Sequence, residues 1–221
     1  MTREQARLFL VHKKFLQQEN KRINLTRITE EARMLEEHFW DSVACLEQGR
    51  SFIGSTLLDI GTGAGFPGVP IKILFPEIQL TLMESAGRRA AYLRQLVREL
   101  NLEGIEVIQH RAEEFGRNKG REMYSWVVAR ALAPLVTGVE LALPLVQVNG
   151  FFWAYKGRDY QQELEEARTV IARCGGLLEA VMPYQLPGES IHRNVLVFKK
   201  EKPAETALPR KSGMPQKRPL Y

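Results

Sequence analysis

The chain is short of cysteine, with only Cys45 and Cys174 in 221 residues. Two distant cysteines exclude a disulfide framework, and no metal-type spacing is present, so neither disulfides nor a metal are expected. No apolar run approaches the roughly 20 residues that span a bilayer. The opening MTREQARLFLVHKKF carries charges inside its apolar stretch, unlike a signal peptide. The expectation is a cytoplasmic protein with no membrane partner, acting as a monomer.

Most of the chain also lacks an excess of either charge. Residues 199–221 hold seven Lys/Arg and two Asp/Glu; removing these from totals of 31 and 26 leaves 24 of each sign in residues 1–198. The net charge of +5 therefore sits in the tail. Such a segment is either a basic arm for phosphates, with prolines keeping it extended, or a strap that packs Leu208 and Leu220 on the body.

The most patterned stretch is LLDIGTGAGFPGVP at 57–70. It follows an apolar run and lacks two things. It reads Gly61-x-Gly63-x-Gly65 with Phe66 next, so the third glycine of a dinucleotide fingerprint is misplaced, and no P-loop lysine follows. Asp59 ends the apolar run and suits an amino-acid-like cationic ligand. Glu84 lies where a carboxylate can accept ribose hydroxyls. Arg111-Ala112-Glu113-Glu114 lies where a loop can frame an adenine ring. Together these favour S-adenosylmethionine. An NAD-linked oxidoreductase and a non-catalytic RNA-binding protein remain as alternatives.

Apolar runs at 56–60, 80–83, 105–108, 126–129 and 151–155 alternate with helical periodicity at about 67–75, 88–100, 133–145 and 160–173. That alternation predicts a mostly parallel α/β sheet with helices on both faces. Runs at 177–184 and 194–199, separated only by a loop, should pair antiparallel, completing seven strands. Residues 2–22 and a segment from near Thr29, carrying Met34, Leu35, Phe39, Val43 and Leu46, read as helices. The expected division is a helical extension over 1–50, a cofactor-binding domain over 51–200 and a basic tail over 201–221.

Two further absences bear on the acceptor. The Asn/Asp-Pro-Pro-aromatic turn of amine methylation is missing; Val127-Val128-Ala129-Arg130-Ala131 stands in its place. Both cysteines fall in predicted helices away from strand ends, where core packing explains them better than nucleophilic attack on a pyrimidine. An acceptor with a free lone pair, such as guanine N7, needs no base, which fits the lack of a catalytic constellation. Arg130 faces the crevice, as an ion-paired arginine or as a contact to cofactor or phosphate. Lys156 ends the fifth strand beside Gly157. His38 is either a packing histidine or one that faces RNA.

The sequence resembles the RsmG (GidB) family of bacterial 16S ribosomal RNA methyltransferases nearly end to end. The resemblance rests on NLTRI at 24–28, EEHFWDSV at 36–43, LDIGTGAGFPGVPIKI at 58–73, TLMESAGRRAAYL at 81–93, HRAEEF at 110–115, ARALAPL at 129–135, YKG at 155–157 and LPRKSGMPQKRPL at 208–220. It implies a class I Rossmann-like fold, S-adenosyl-L-methionine as donor, and N7 of a guanosine in the decoding region of 16S ribosomal RNA, naked or in the small subunit, as acceptor. It also implies cofactor contacts at Gly61, Phe66, Glu84, Ser85, Ala86, Ala112, Glu113 and Arg130. The glycine pattern adds Gly63 and Gly65. Lys156, Arg210, Lys211, Lys217 and Arg218 are the cations expected to meet RNA. Trp40, Glu84 and Leu208 depart from the family's usual Leu, Asp and aromatic residue.

Overall fold

A computed structural model describes residues 1–48, 52, 54–187 and 192–221. The chain folds around a seven-stranded sheet in the order β3-β2-β1-β4-β5-β7-β6. β1 (Thr56–Ile60), β2 (Gln79–Met83), β3 (Ile105–Ile108), β4 (Tyr124–Arg130) and β5 (Val146–Lys156) run parallel. β7 (His192–Lys200) is antiparallel to β5 and to β6 (Gly176–Gln185). The expected architecture is therefore the one observed. Strand order reverses between β1 and β4, which opens a crevice at their carboxyl ends.

The central strands are apolar on both faces because both are covered. Leu57, Trp126, Val128, Trp153, Val195 and Val197 enter one core. Their neighbours Leu58, Val127, Phe152, Ala154, Leu196 and Phe198 enter the other. α4 (Gly68–Leu74) and α5 (Gly87–Leu100) contribute to the first core; α7 (Leu135–Ala142) and α9 (Arg168–Arg173) contribute to the second. The helix expected over 133–145 ends as a 3₁₀ turn, Leu143–Leu145, whose Pro144 has no amide to donate. The helix expected over 160–173 divides at Ala167 into α8 (Gln161–Glu166) and α9. The stretch read as an adenine-framing loop begins α6 (Ala112–Gly116) instead.

α1 (Arg3–Ile23) starts with a capping box: the Gln5 amide donates to Thr2 Oγ1 at 3.1 Å and the Thr2 amide donates to Gln5 Oε1 at 2.8 Å. It stops at Asn24, which takes the left-handed conformation at φ 47°. The second helical segment is irregular. It runs from α2 (Glu31–Met34) through a π-helical stretch, Leu35–Trp40, to α3 (Asp41–Val43) and a 3₁₀ turn, Ala44–Gln48. The expected boundary at 50/51 lies outside the described residues.

The tail is not an extended arm. Leu208 is 1% exposed in the second core, and Leu220 packs against that core. The Arg121 guanidinium donates to the carbonyls of Leu208 at 2.6 Å and Ala204 at 2.7 Å. Arg210 makes a two-pronged pair with buried Glu140, at 2.8 and 2.6 Å. Pro215 accepts from Thr137 Oγ1, and Met214–Lys217 forms a short helix, α10, despite its proline, which sits in the first turn where no amide is needed. Lys200 is fully buried, donating to the Leu143 carbonyl at 2.8 Å. Part of the basic excess thus serves the fold. Lys211, Lys217 and Arg218 are exposed.

The preface docks on the glycine loop through imidazole rings. His12 is fully buried, with Nε2 donating to the Ala64 carbonyl at 3.0 Å, and burial pulls its pKa down to about 4. His38 is lowered to about 4 by burial and by nearby Arg130. Groups depressed in this way contribute stability above their unfolded pKa near 6.5, and lose it as pH falls toward 4. Asp59, raised to about 6 by burial, acts in the opposite sense but is one group against two.

Stability should therefore fall between pH 7 and pH 5, with His12 alone accounting for about 2 kcal/mol at about 1.36 kcal/mol per pH unit. Denaturant unfolding of His12→Gln, which retains a donor without a titrating ring, should show a smaller drop; an equal drop would contradict the assignment. Leu208→Ala should cost about 2–4 kcal/mol in the same assay, because its buried side chain leaves a cavity. A loss below about 0.5 kcal/mol would mean that the tail is not held by this contact.

Candidate active site

The loop after β1 turns on three glycines with positive φ: 65° at Gly61, 59° at Gly63 and 96° at Gly65. They do different work. A Cβ at Gly65 would lie 2.9 Å from Val69, so this glycine serves packing and lines neither cavity described below. A Cβ at Gly63 would meet nothing nearer than the Gly61 carbonyl at 3.9 Å, so it borders open space. The amides of Gly61 and Thr62 both donate to the Met83 carbonyl, tying the loop to the end of β2.

Asp59 lies beneath this loop. Its Oδ2 accepts from Thr62 Oγ1 at 2.6 Å and from the Gly68 amide at 2.8 Å, while Oδ1 has no partner among the described residues. The carboxylate is fully buried and does not line either cavity. Its observed contacts shape the loop; they do not offer it to a cationic ligand.

Two cavities open beside the loop and meet at Gly61. The first, about 490 Å³, is bordered by Gly61, Gly63, Phe66, Arg130 and Lys156, with Thr26, His38, Tyr155, Tyr184 and Arg193 opposite. The second, about 140 Å³, is bordered by Gly61, Ser85, Ala112, Glu113 and Thr137, and closed by Pro215 and Gln216 of the tail. Glu84 is buried just past β2, with Oε1 accepting from the Ala86 amide at 2.8 Å, and it lines neither cavity. Ala86 itself is exposed before α5 and lines neither cavity. Glu113 accepts from the Gly213 amide at 2.9 Å, which seats the tail over the second cavity.

The expected cations fare unequally. Arg130 ends β4 and its Nη1 donates to Asp41 at 2.7 Å and to the carbonyls of Glu37 and His38. It is both ion-paired and a wall of the first cavity. Lys156 lines the same cavity, paired with Glu163 at 2.7 Å. Arg210 is a correction: its guanidinium is held by Glu140 and by the Arg218 carbonyl at 2.7 Å, so it is not a free phosphate contact.

Phe66 is 5% exposed, with His12 stacked on it at 4.8 Å and His38 at 5.0 Å. Its ring fills the position where a dinucleotide fingerprint would need glycine. The cysteines are fully buried, and burial pushes both thiols up to about 12. Among the described residues no His/Cys/Asp/Glu group is arranged to hold a metal ion, and no helix is long and apolar enough to cross a membrane.

Sequence reasoning missed Thr26, Asp41, Tyr155, Tyr184 and Arg193, which surround the first cavity from four elements and the loop after α1. It also missed Pro215 and Gln216. Leu208 and Leu220, apolar residues in a basic tail, were the one signal that this segment returns to the body.

Solved structures similar to this chain share its fold at low sequence identity. Precorrin-6y C5,15-methyltransferase from Geobacter metallireducens aligns with TM-score 0.54 at 13% identity, over 72% of this chain and 87% of that one. TrmN from Thermus thermophilus aligns with TM-score 0.53 at 18% identity, over 72% of this chain and 48% of that one. These likenesses concern the fold. Sequence relatives reach further. Ribosomal RNA small subunit methyltransferase G of Roseiflexus castenholzii is 46% identical, over 91% of this chain and 86% of its own length. The protein of that name in Alkaliphilus metalliredigens is 39% identical over 98% of this chain and 91% of its own. The family model for rRNA small subunit methyltransferase G, GidB, matches residues 5–191. With that span, and with relatives covering nearly the whole chain, the protein belongs to the rRNA small subunit methyltransferase G family.

Proposed function

We propose that this methyltransferase uses S-adenosyl-L-methionine to methylate N7 of a guanosine in the decoding region of 16S ribosomal RNA. The observation that carries this reading is the pair of cavities meeting at Gly61, one wide and open, the other small and capped by the tail. A donor with an amino-acid end and a nucleoside end fits such a divided site. Gly61 and Gly63 let the backbone approach the donor's amino-acid end, with Arg130 as the nearby cation. Glu84, buried and with one oxygen on the Ala86 amide, would offer its other oxygen to a ribose hydroxyl, and Ser85 borders the second cavity. Ala112 and Glu113 border the space for the adenine. When bound, the donor supplies an electrophilic methyl group.

The rest of the chemistry asks little of the side chains. Guanine N7 carries its lone pair already, so the protein must orient the base and exclude water. The first cavity is walled by Tyr155 and Tyr184, whose hydroxyls are tied to the Ser42 carbonyl at 2.8 Å and to Asp41 at 2.8 Å. Burial pushes both hydroxyls well above the usual tyrosine range, so neither is a base at neutral pH. His38 and His12, near 4, are too weakly basic for that task. A pyrimidine acceptor attacked by cysteine is disfavoured by the two buried, protonated thiols.

The direct test is mass spectrometry of nucleosides from small-subunit RNA, naked and assembled, after incubation with protein and donor. 7-Methylguanosine is the expected product; a methyl on any other atom overturns the acceptor. Gly63→Val should weaken S-adenosylhomocysteine binding at least tenfold in calorimetry, since a β-branched residue resists positive φ and its side chain enters the open space. Unchanged affinity in a folded variant would remove Gly63 from the site. The single-turnover rate should stay nearly flat from pH 7 to pH 9. A tenfold rise per pH unit would reveal a required deprotonation and a different acceptor.

A further inference from the structure

Beside the first cavity lies a groove of about 1150 Å³, more than twice its volume. Lys14 and Lys21 of α1, Arg27 of the following loop and Arg89 of α5 line it, and among the described residues no carboxylate or aromatic side chain does. All four cations are exposed. None has an ion-pair partner among the described residues, whereas nearby acids are already engaged, Glu31 by Lys13 and Glu19 by Arg22. Leu25 and Thr26 line both the groove and the first cavity, so the two spaces share a wall.

That wall is rigidly built. Thr26 exchanges two hydrogen bonds with the Asn20 side chain, at 2.8 and 3.0 Å. Its hydroxyl accepts from the Ile28 amide at 3.0 Å and bonds His38 Nε2 at 2.7 Å. The tail, by contrast, has Lys200 buried and Arg210 held by Glu140. Lys211, Lys217 and Arg218 are exposed but line neither cavity, so among the described residues the unpaired positive charge beside the first cavity is in this groove.

We propose that the groove holds the phosphodiester backbone of a single-stranded RNA segment, placing the neighbouring nucleotide in the first cavity. The inference rests on the reading of the protein as an RNA methyltransferase and adds where the RNA lies. A charged groove leading to a base-sized cavity is what an enzyme needs when it takes one base out of its stack. The polar amides of Gln17, Gln18 and Asn24 add donors along the track. An acidic protein partner fits less well, because a protein interface is anchored by buried aromatic side chains, and none lines the groove.

The test uses the full chain with Lys14→Gln, Lys21→Gln, Arg27→Gln and Arg89→Gln combined, against a variant with Lys211→Gln, Lys217→Gln and Arg218→Gln. Binding of a labelled small-subunit RNA fragment is followed by anisotropy across a salt series, with S-adenosylhomocysteine affinity as the folding control. The groove variant should lose about 3 from the log–log salt slope, at about 0.7 per phosphate contact on a single strand, with cofactor affinity within twofold of the parent. The tail variant should lose less. An unchanged slope in the groove variant overturns the proposal, whatever the methylation assay gives. So does polyglutamate that displaces the RNA as effectively as unlabelled RNA, since that would mark a protein site. A lost slope in a protein that methylates no small-subunit RNA keeps the groove and removes the reading beneath it.

Discussion

The ring of Phe66 is where three parts of the chain are locked together. His12 from α1 and His38 from the second helical segment stack on it, Phe39 meets it edge-on at 5.0 Å, and the Arg130 guanidinium from the end of β4 lies 5.2 Å from its centre. The glycine loop, the helical preface and the central sheet are therefore positioned by one contact set. His12 is fully buried there and His38 half-buried, and burial lowers both imidazoles to about 4, so both rings are neutral at pH 7. Shape at the crevice is thus coupled to protonation.

Buried charge follows a similar logic. Asp59 ties the loop to the start of α4, Glu140 holds the tail through Arg210, and Lys200 reaches the Leu143 carbonyl. Lys72, also buried, donates to the carbonyls of Pro76 and Ile78 at 2.6 and 2.7 Å. Each group is desolvated and each has hydrogen-bonding partners, which is the condition for tolerating such burial. The ties hold loops and the tail to the sheet alongside apolar contacts such as those of Leu208 and Leu143. They also explain why the tail, basic by count, closes the second cavity instead of leaving the body.

In the proposed reading the site separates three tasks: backbone and glycine conformation would admit one part of the donor, the tail-capped recess another, and the tyrosine-walled cavity would face the acceptor. None of these tasks needs a titrating side chain at neutral pH. Orientation and exclusion of water are properties of a rigid frame, and hydrogen bonds from Arg130, Tyr155 and Tyr184 to the 37–42 segment supply that rigidity.

What was legible in the sequence was whatever repeats locally. Two-sided apolar runs announced a covered parallel sheet, Asn24 was a visible break, and Gly61 with Gly63 marked a loop made for close approach. The sheet and its antiparallel end followed from spacing, since strand–helix alternation leaves few topologies open. Tertiary structure alone decided which charges were free. In the sequence Arg210 and Lys217 look alike; in the fold one meets Glu140, seventy positions earlier, and the other meets none among the described residues. Likewise only the fold separates Gly63, facing open space, from Gly65, facing Val69, and brings Gln216 beside Ser85. Periodicity carries local conformation, because backbone geometry repeats along the chain. Electrostatic partners and cavity walls come from residues far apart, and no local pattern encodes their meeting.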